Sequence, residues 1–226
     1  MSVRARIADA CRVAGREPDD VTLLAASKYS DAAGIVELAA AGQRLFGENR
    51  VQDAVAKVAE LPYMVRKAIR LHMIGHLQSN KARMAVEVFD VVQSVDSLGV
   101  AAAVARAARI AGRPLPVLVQ VNVAADPSKS GFAVDDLLRD DRELLALEGI
   151  SVQGLMTIGP AVARPEAARP AFAALRGLRD RLTGRWPPSA LLQMSMGMSA
   201  DFEVAIEEGA TIVRVGTALF GDHHAK

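Results

Sequence analysis

The stretch "VTLLAASKYS", residues 21–30, places a lysine at the end of a short apolar run. Five of its first six residues are apolar, and a run of this length followed by polar residues is typical of a buried strand. Ser27 and Lys28 come where that strand should end. A lysine in this place is either a surface residue whose stem covers apolar neighbours or a reactive amine at the edge of a site.

Similar apolar runs recur along the whole chain. We count eight predicted strands: Val21–Ala26, Arg44–Phe46, Leu71–Ile74, Val88–Val92, Val117–Val121, Val152–Met156, Leu191–Met194 and Thr211–Val215. Segments with helical periodicity separate them, as in "NRVQDAVAKVAEL" (49–61), where Val51, Val55 and Val58 share one face. A further helix is predicted within Met1–Arg16, before the first strand.

This alternation predicts parallel strands joined by right-handed crossovers. Eight such units favour the α/β class and a single (β/α)₈ TIM barrel with an extra N-terminal helix. The 226 residues lie within the usual range for this fold, and we expect one domain over residues 1–226. A doubly wound open sheet is the alternative, although no GxGxxG motif follows the first strand.

Composition excludes several classes of function. Hydrophobic residues make up 51% of the chain, too many for a disordered protein, and a net charge of +1 does not favour nucleic acid as a partner. The arginines between 164 and 185 have the spacing of a solvated helix face. No apolar run could span a membrane, and the N-terminus lacks the apolar segment of a signal peptide. We therefore expect a cytoplasmic protein. We also expect a monomer, although no feature of the sequence indicates the oligomeric state.

Neither cysteine nor histidine indicates a metal site. Cys11 is the single cysteine, so it cannot form an internal disulfide, and its apolar neighbours indicate a packing role. His72 and His76 lie at a strand end without a suitably spaced carboxylate. We assign them structural or hydrogen-bonding roles.

Polar residues follow most of the predicted strands. In a TIM barrel the active site lies at the C-terminal ends of the strands. These ends carry Ser27-Lys28, Gly47-Glu48-Asn49, Gly75-His76, Ser94, Asn122, Met156-Thr157, Ser195-Met196-Gly197 and Arg214-Val215-Gly216-Thr217. A lysine in such a ring can form a Schiff base with an aldehyde.

The last two strand ends indicate a phosphate site. "MSMGMSADF" (194–202) and "RVGTALFG" (214–221) each join a strand to a loop rich in Gly, Ser or Thr, and these loops usually hold phosphate in TIM barrels. Ser199 is the candidate N-cap of the following helix, whose amides could bind an anion. Gly216 allows close backbone approach and Thr217 adds a hydroxyl. Alternatively, the glycines only form turns.

Arg214 lies inside an otherwise apolar strand and needs a partner. An internal carboxylate such as Glu48, an outward orientation, and a pyridine-type ring nitrogen are the alternatives. A lysine that binds an aldehyde, two phosphate loops and an arginine facing a ring nitrogen together indicate pyridoxal 5′-phosphate as the cofactor.

The motifs also resemble a known family. "LLAASK" (23–28), "FGENRVQ" (46–52), "HMIGHLQSNK" (72–81), "SKSGF" (128–132), "GLMTI" (154–158), "SMGMS" (195–199) and "VRVGTALFG" (213–221) resemble the pyridoxal-phosphate homeostasis proteins. That family is similar to a lone copy of the N-terminal barrel of bacterial alanine racemase. The motifs extend over nearly the whole chain.

The resemblance implies a role for each cofactor-binding residue. Lys28 would form the Schiff base, Arg214 would face the ring nitrogen, Asn49 would lie near the ring and Met156 would line the pocket. The phosphate contacts would come from Ser199, Gly216 and Thr217, with amides near Met196 and Gly197. Gln78, Asn80, Lys81 and Lys129 would lie near the pocket without an assigned role. Tyr29 departs from the smaller residue that many relatives carry.

The resemblance implies a protein of cofactor homeostasis without appreciable turnover, with pyridoxal-phosphate-dependent apoenzymes as candidate partners. The alternative is a small racemase or related enzyme that uses the same cofactor. Racemisation needs two positioned acid–base groups, and in alanine racemase the second is a tyrosine from a C-terminal β-domain. This sequence ends at Lys226 and contains only Tyr29 and Tyr63, which favours the binding protein.

Overall fold

Eight parallel strands close into a barrel in the order of the chain, which confirms the predicted TIM barrel. The computed structural model describes residues 2–160 and 164–221. The strands are β1 Thr22–Ala26, β2 Leu45–Glu48, β3 Arg70–Met73, β4 Val91–Val95, β5 Leu115–Gln120, β6 Ile150–Met156, β7 Gln193–Met198 and β8 Ile212–Val215. The open-sheet alternative is wrong, because β8 pairs with β1 along four residues, from Thr22–Ile212 to Ala25–Val215.

Helices follow the strands and cover the outside of the barrel. Those in the described residues are α1 Val3–Val13, α2 Ala32–Ala40, α3 Val51–Glu60, α4 Tyr63–Ala68, α5 Ala82–Val88, α6 Leu98–Ile110, α7 Val134–Leu145, α8 Arg169–Leu182, α9 Phe202–Glu207 and α10 Thr217–Phe220. None of these helices is both long and apolar enough to cross a lipid bilayer.

Helix α1 is the extra N-terminal helix that the sequence predicts, although Met1 lies outside the described residues. Ser2 caps it by accepting a hydrogen bond from the backbone N–H of Ala5. The helix packs against α9, where Arg6 forms a 2.6 Å salt bridge with Glu203 and lies 4.5 Å from the ring centre of Phe202. Cys11 is fully buried, in agreement with its predicted packing role.

Two strands, the fourth and the seventh, have a boundary that differs from the prediction by three residues or more. Val88 ends α5, so the fourth strand begins at Val91, because a short buried helix and a buried strand give similar apolar runs. The seventh strand is not Leu191–Met194 but Gln193–Met198, which continues through the segment interpreted as a loop. Its ladder with β8 shifts register between Ser195 and Met198, as at a β-bulge.

The interior of the barrel is partly polar. A small apolar cluster joins Leu24, Leu118, Met156 and Ile212 with Ile74. Since β1 and β5 lie on opposite sides of the barrel, this cluster fills its interior. Buried polar side chains share that space, among them His72, Gln93, Ser195 and Arg214. The larger apolar core lies between the strands and the surrounding helices.

Candidate functional site

A cavity of about 430 Å³ opens at the C-terminal ends of the strands, near β1, β2, β7 and β8. This is the edge where the sequence predicts the site. Six of the predicted residues line the cavity: Lys28, Asn49, Ser199, Arg214, Gly216 and Thr217. The tertiary structure thus brings together residues from both ends of the chain.

Lys28 lies on the cavity wall immediately after β1. Its side chain is exposed, and its Nζ lies 4.5 Å from the ring centre of Tyr29, a cation–π contact at the cavity rim. Within the described residues Lys28 forms no salt bridge. Lys28 therefore lines the cavity with no carboxylate of the described residues paired to its amine.

A buried hydrogen-bonded group holds the backbone directly before Lys28. Ser27 Oγ donates to Glu48 Oε1 at 2.6 Å, and Lys57 Nζ donates to the same carboxylate oxygen at 2.8 Å and to the Ser27 carbonyl at 2.7 Å. Glu48 is 1% exposed. Sequence reasoning missed Lys57, because a lysine in an amphipathic helix resembles any solvated residue.

Asn49 is positioned by a close backbone approach. A Cβ built on Gly75 would lie 2.3 Å from the Asn49 carbonyl oxygen and 2.7 Å from its Cα. Only glycine therefore lets the segment after β3 pack directly on Asn49, which lines the cavity beside β2.

The two predicted phosphate loops are joined by a hydrogen bond. The backbone N–H of Gly216 donates to Ser199 Oγ at 3.2 Å, and Thr217 begins α10 beside them. A Cβ on Gly216 would lie 3.1 Å from the Ala26 carbonyl oxygen, so glycine permits this approach. The expectation that Ser199 is an N-cap is wrong: α9 begins after Asp201, whose carboxylate accepts from the Met198 N–H.

Arg214 is buried inside the barrel at the base of the cavity. Its Nη1 donates to Ser195 Oγ at 2.7 Å and its Nη2 to the Thr157 carbonyl at 2.8 Å. Burial lowers the pKa of Arg214 to about 10, against the opposing effect of Asp201, so it is a cation at neutral pH. The alternative that Arg214 pairs with Glu48 is wrong, since Glu48 pairs with Lys57. The outward-facing alternative is also wrong, since the Arg214 side chain is buried.

The guanidinium of Arg214 keeps unused capacity to donate. It carries five N–H donors, and the two hydrogen bonds within the described residues use only two of them. Because the side chain lines the cavity, a ligand acceptor there would satisfy a buried cation that has no carboxylate partner in a described salt bridge.

Three predicted residues lie away from the cavity lining. The expectation that Met156 lines the pocket is corrected: its side chain points inward from the end of β6 and is fully buried in the interior cluster with Ile74. Met196 packs in the outer core. Gly197 has φ +91°, and a Cβ there would lie 2.5 Å from that of Ala205, so glycine allows β7 to pack against α9.

The four residues that were expected near the pocket without an assigned role do not share one location. Gln78 and Lys81 line a second cavity of about 400 Å³ that shares Asn49 with the first, whereas Asn80 is exposed. Lys129 Nζ donates to the Gly159 carbonyl at 2.8 Å.

His72 and His76 have hydrogen-bonding roles, as the sequence predicts. His72 Nδ1 lies 2.7 Å from Gln93 Nε2, and His76 Nδ1 lies 2.8 Å from Asp96 Oδ2. Among residues 2–160 and 164–221, no three His, Cys, Asp or Glu side chains are grouped so that they could hold a metal ion.

The fold and the cavity define a barrel protein of the alanine racemase type. The sequence matches the family described as alanine racemase, N-terminal domain, over residues 3–224. An alanine racemase from Clostridium difficile has the same fold (TM-score 0.73, 14% identity), covering 99% of this chain and 57% of the racemase.

Nearer relatives narrow this assignment. The pyridoxal phosphate homeostasis protein of Pseudomonas aeruginosa is 45% identical over 219 residues, which cover 97% of this chain and 92% of the relative. That of Aquifex aeolicus is 41% identical, covering 96% and 93%. PipY of Synechococcus elongatus, solved with PLP bound, is 42% identical with a TM-score of 0.83, covering 95% and 100%. The chain belongs to the pyridoxal phosphate homeostasis protein family.

Proposed function

We propose that this protein binds pyridoxal 5′-phosphate as a Schiff base on Lys28 and serves in cofactor homeostasis without appreciable turnover. One observation carries the proposal: an amine with no salt bridge in the described part of the chain, two hydroxyls and a buried cation with spare donors converge on one cavity. The names of the relatives and the PLP bound to PipY support it.

The residues present fit the three functional parts of the cofactor. Lys28 would hold the aldehyde, and the hydroxyls of Ser199 and Thr217, with backbone N–H groups of the two joined loops, would hold the phosphate. Arg214 would donate to the ring nitrogen, and Asn49 would lie near the ring. When bound, the cofactor supplies an electrophilic aldehyde conjugated to an electron-withdrawing ring.

The site favours binding over turnover because of two features. Arg214 can only donate, so it would not hold a proton on the ring nitrogen, and the ring is then a poorer electron sink. Racemisation also needs a second positioned acid–base group. Tyr63 lies on α4, away from the cavity lining, and the Tyr29 side chain is 67% exposed, with no hydrogen bond from its hydroxyl within the described residues.

A racemase or related enzyme is the second candidate, and the position of Tyr29 on the cavity wall is the observation that favours it. Against this, an exposed rim that admits water suits exchange of a cofactor better than protection of a carbanion. The proposed role also requires recipients, and pyridoxal-phosphate-dependent apoenzymes are the partners with the matching chemistry.

The decisive experiment is borohydride reduction of the purified protein incubated with pyridoxal 5′-phosphate, followed by peptide mapping. We expect a yellow protein whose visible absorption band disappears on reduction, with the pyridoxyl label on Lys28. Lys28→Arg is the matched control, because it keeps the charge but should lose the band. A label mainly on Lys81 or Lys129, or a colourless protein, would contradict the proposal.

A further inference from the structure

Four buried polar side chains form a continuous line across the barrel interior. Arg214 Nη1 donates to Ser195 Oγ at 2.7 Å, Ser195 Oγ donates to Gln93 Oε1 at 2.6 Å, and Gln93 Nε2 lies 2.7 Å from His72 Nδ1. The four residues come from β8, β7, β4 and β3. Each is at most 5% exposed.

The chemistry of Arg214 sets the direction of every hydrogen bond in this line. A guanidinium has donors only, so Ser195 Oγ accepts from it and directs its own proton to Gln93 Oε1. The Gln93 amide nitrogen then faces His72, where Nδ1 must accept. This places the His72 proton on Nε2, an assignment made from the network of partners.

The protonation of His72 is consistent with this direction. Burial lowers its pKa to about 4; Asp90 acts in the opposite sense and Arg70 adds to the lowering. His72 is therefore neutral at pH 7, and its Nδ1 stays available as an acceptor for Gln93.

The line also accounts for how Arg214 is oriented. Its described partners are the Ser195 hydroxyl and the Thr157 carbonyl, with no carboxylate to hold the guanidinium. A serine hydroxyl rotates freely unless its proton has an acceptor. Gln93 supplies that acceptor, and His72 holds the Gln93 amide in the required orientation.

We propose that Gln93 is a positioning residue: acting through Ser195 and held by His72, it fixes the Arg214 guanidinium at the base of the cofactor cavity. The protein thereby prefers ligands whose ring carries a nitrogen acceptor. This preference rests on the proposed function, whereas the direction of the hydrogen bonds does not.

The direction can be tested without any cofactor. In the purified protein with ¹⁵N-labelled histidine, NMR at pH 7 should show His72 with a protonated Nε2 and an unprotonated Nδ1. A His72→Gln variant identifies its signals. The opposite tautomer would reverse the Gln93 amide and overturn the proposal.

The ring preference is tested with two ligands: pyridoxal 5′-phosphate, and its analogue in which a C–H replaces the ring nitrogen and the aldehyde and phosphate are kept. Gln93→Met and Ser195→Ala should each reduce the ratio of the two affinities roughly 2- to 10-fold, the range of one hydrogen bond. Ser195→Thr, which keeps the hydroxyl, should retain the wild-type ratio of the two affinities. Arg214→Lys shows the ratio expected without the guanidinium.

Ser94→Ala is the matched control, since Ser94 is a buried neighbour of Gln93 whose hydroxyl has no hydrogen-bond partner among residues 2–160 and 164–221. It should leave the ratio unchanged. A merely structural role for Gln93 would weaken both ligands equally, and that result would overturn the proposal. If Gln93→Met does not fold, the Ser195→Ala and Ser195→Thr pair decides.

The outcomes separate this inference from the proposed function. Binding of pyridoxal 5′-phosphate on Lys28 with an unchanged ratio in Gln93→Met and Ser195→Ala would overturn the inference alone. A protein that binds neither ligand would overturn the proposed function and the ring preference with it, while the His72 tautomer would still report on the hydrogen-bonded line.

Discussion

Ser27 Oγ donates a 2.6 Å hydrogen bond to Glu48, and this contact lies one residue before Lys28. It joins the end of β1 to the end of β2, and Lys57 from α3 completes the group. The backbone that carries Lys28 is therefore held by a buried ion pair, while the Lys28 side chain itself is left exposed at the cavity.

Removal of the Glu48 carboxylate should destabilise the fold. Glu48→Ala leaves the Lys57 amine without its partner, and breaking a buried pair in this way costs about 3–5 kcal/mol. Glu87→Ala is the control, because its pair with Arg83 is exposed and should contribute within about 0.5 kcal/mol. Urea unfolding measures both. If both variants lost the same small amount of unfolding free energy, the buried group would not be important for stability. The same measurement tests the one-domain prediction, which more than one unfolding transition in the wild-type protein would contradict.

The joined loops should recognise phosphate through several contacts. Ser199→Ala combined with Thr217→Val removes both hydroxyls, so the affinity for pyridoxal 5′-phosphate should fall far more than that for unphosphorylated pyridoxal. Each single variant should show less, since backbone N–H groups share the contact. Spectroscopic titration with the two ligands provides the comparison, and equal losses would place the phosphate elsewhere.

Gly75 should tolerate no side chain. Gly75→Ala places a Cβ 2.3 Å from the Asn49 carbonyl, so either the backbone shifts or the fold loses stability, and Asn49 leaves its position in both cases. We expect a loss of about 1–3 kcal/mol, as for an overpacked site. Gly177→Ala is the control: it lies inside α8 with nothing within 4 Å of the added Cβ and should stabilise by about 0.5–1 kcal/mol. Thermal melts that rank the two variants in the opposite order would refute this view.

Acid should weaken the fold through His72. Burial lowers the pKa of His72 from 6.5 to about 4, so between these values the unfolded chain binds a proton that the folded protein does not. The contribution of neutral His72 to the free energy of unfolding is complete above pH 6.5. It falls by about 1.4 kcal/mol per pH unit as the pH decreases from 6.5 to about 4. The stability of wild type relative to His72→Gln should therefore decrease from pH 7 to pH 4. Ser94→Ala, which adds or removes no titratable group, should follow wild type, and a parallel pH dependence in His72→Gln would count against a buried neutral histidine.

Amino acids should bind without being converted. After long incubation with cofactor-loaded protein, L-alanine and other L-amino acids should show no appreciable racemisation or transamination by chiral chromatography, because in the proposed site Arg214 would face the ring nitrogen and make the ring a poor electron sink. Conversion that disappears in Lys28→Arg and in Tyr29→Phe would instead favour the enzyme.

The role of Arg214 itself is checked with Arg214→Gln, whose cofactor affinity and spectrum should change; an unchanged affinity and spectrum would remove Arg214 from the site.

The sequence by itself determined the barrel and much of its site. Eight apolar runs separated by helical segments are compatible with few topologies. The end of a strand is a local feature, because it is visible in the sequence where an apolar run stops. A place at the cavity was therefore predictable for Lys28, Ser199, Gly216 and Thr217, which follow strand ends that converge at one edge of the barrel, and for Arg214, a charged residue in the last half of an otherwise apolar strand.

Only the tertiary structure decided which side chains face inward and which partners they meet. Successive side chains of a strand point to opposite faces, and the structure shows that Ser195 of β7 faces inward and reaches Gln93 while Met196 packs outward. Ser195 and Gln93 are 102 residues apart in the chain, and Lys57 reaches Glu48 from a helix whose sequence looks solvated. The pair of Ser195 and Gln93 depends on barrel closure and strand register, two properties of the whole sheet that no local pattern encodes.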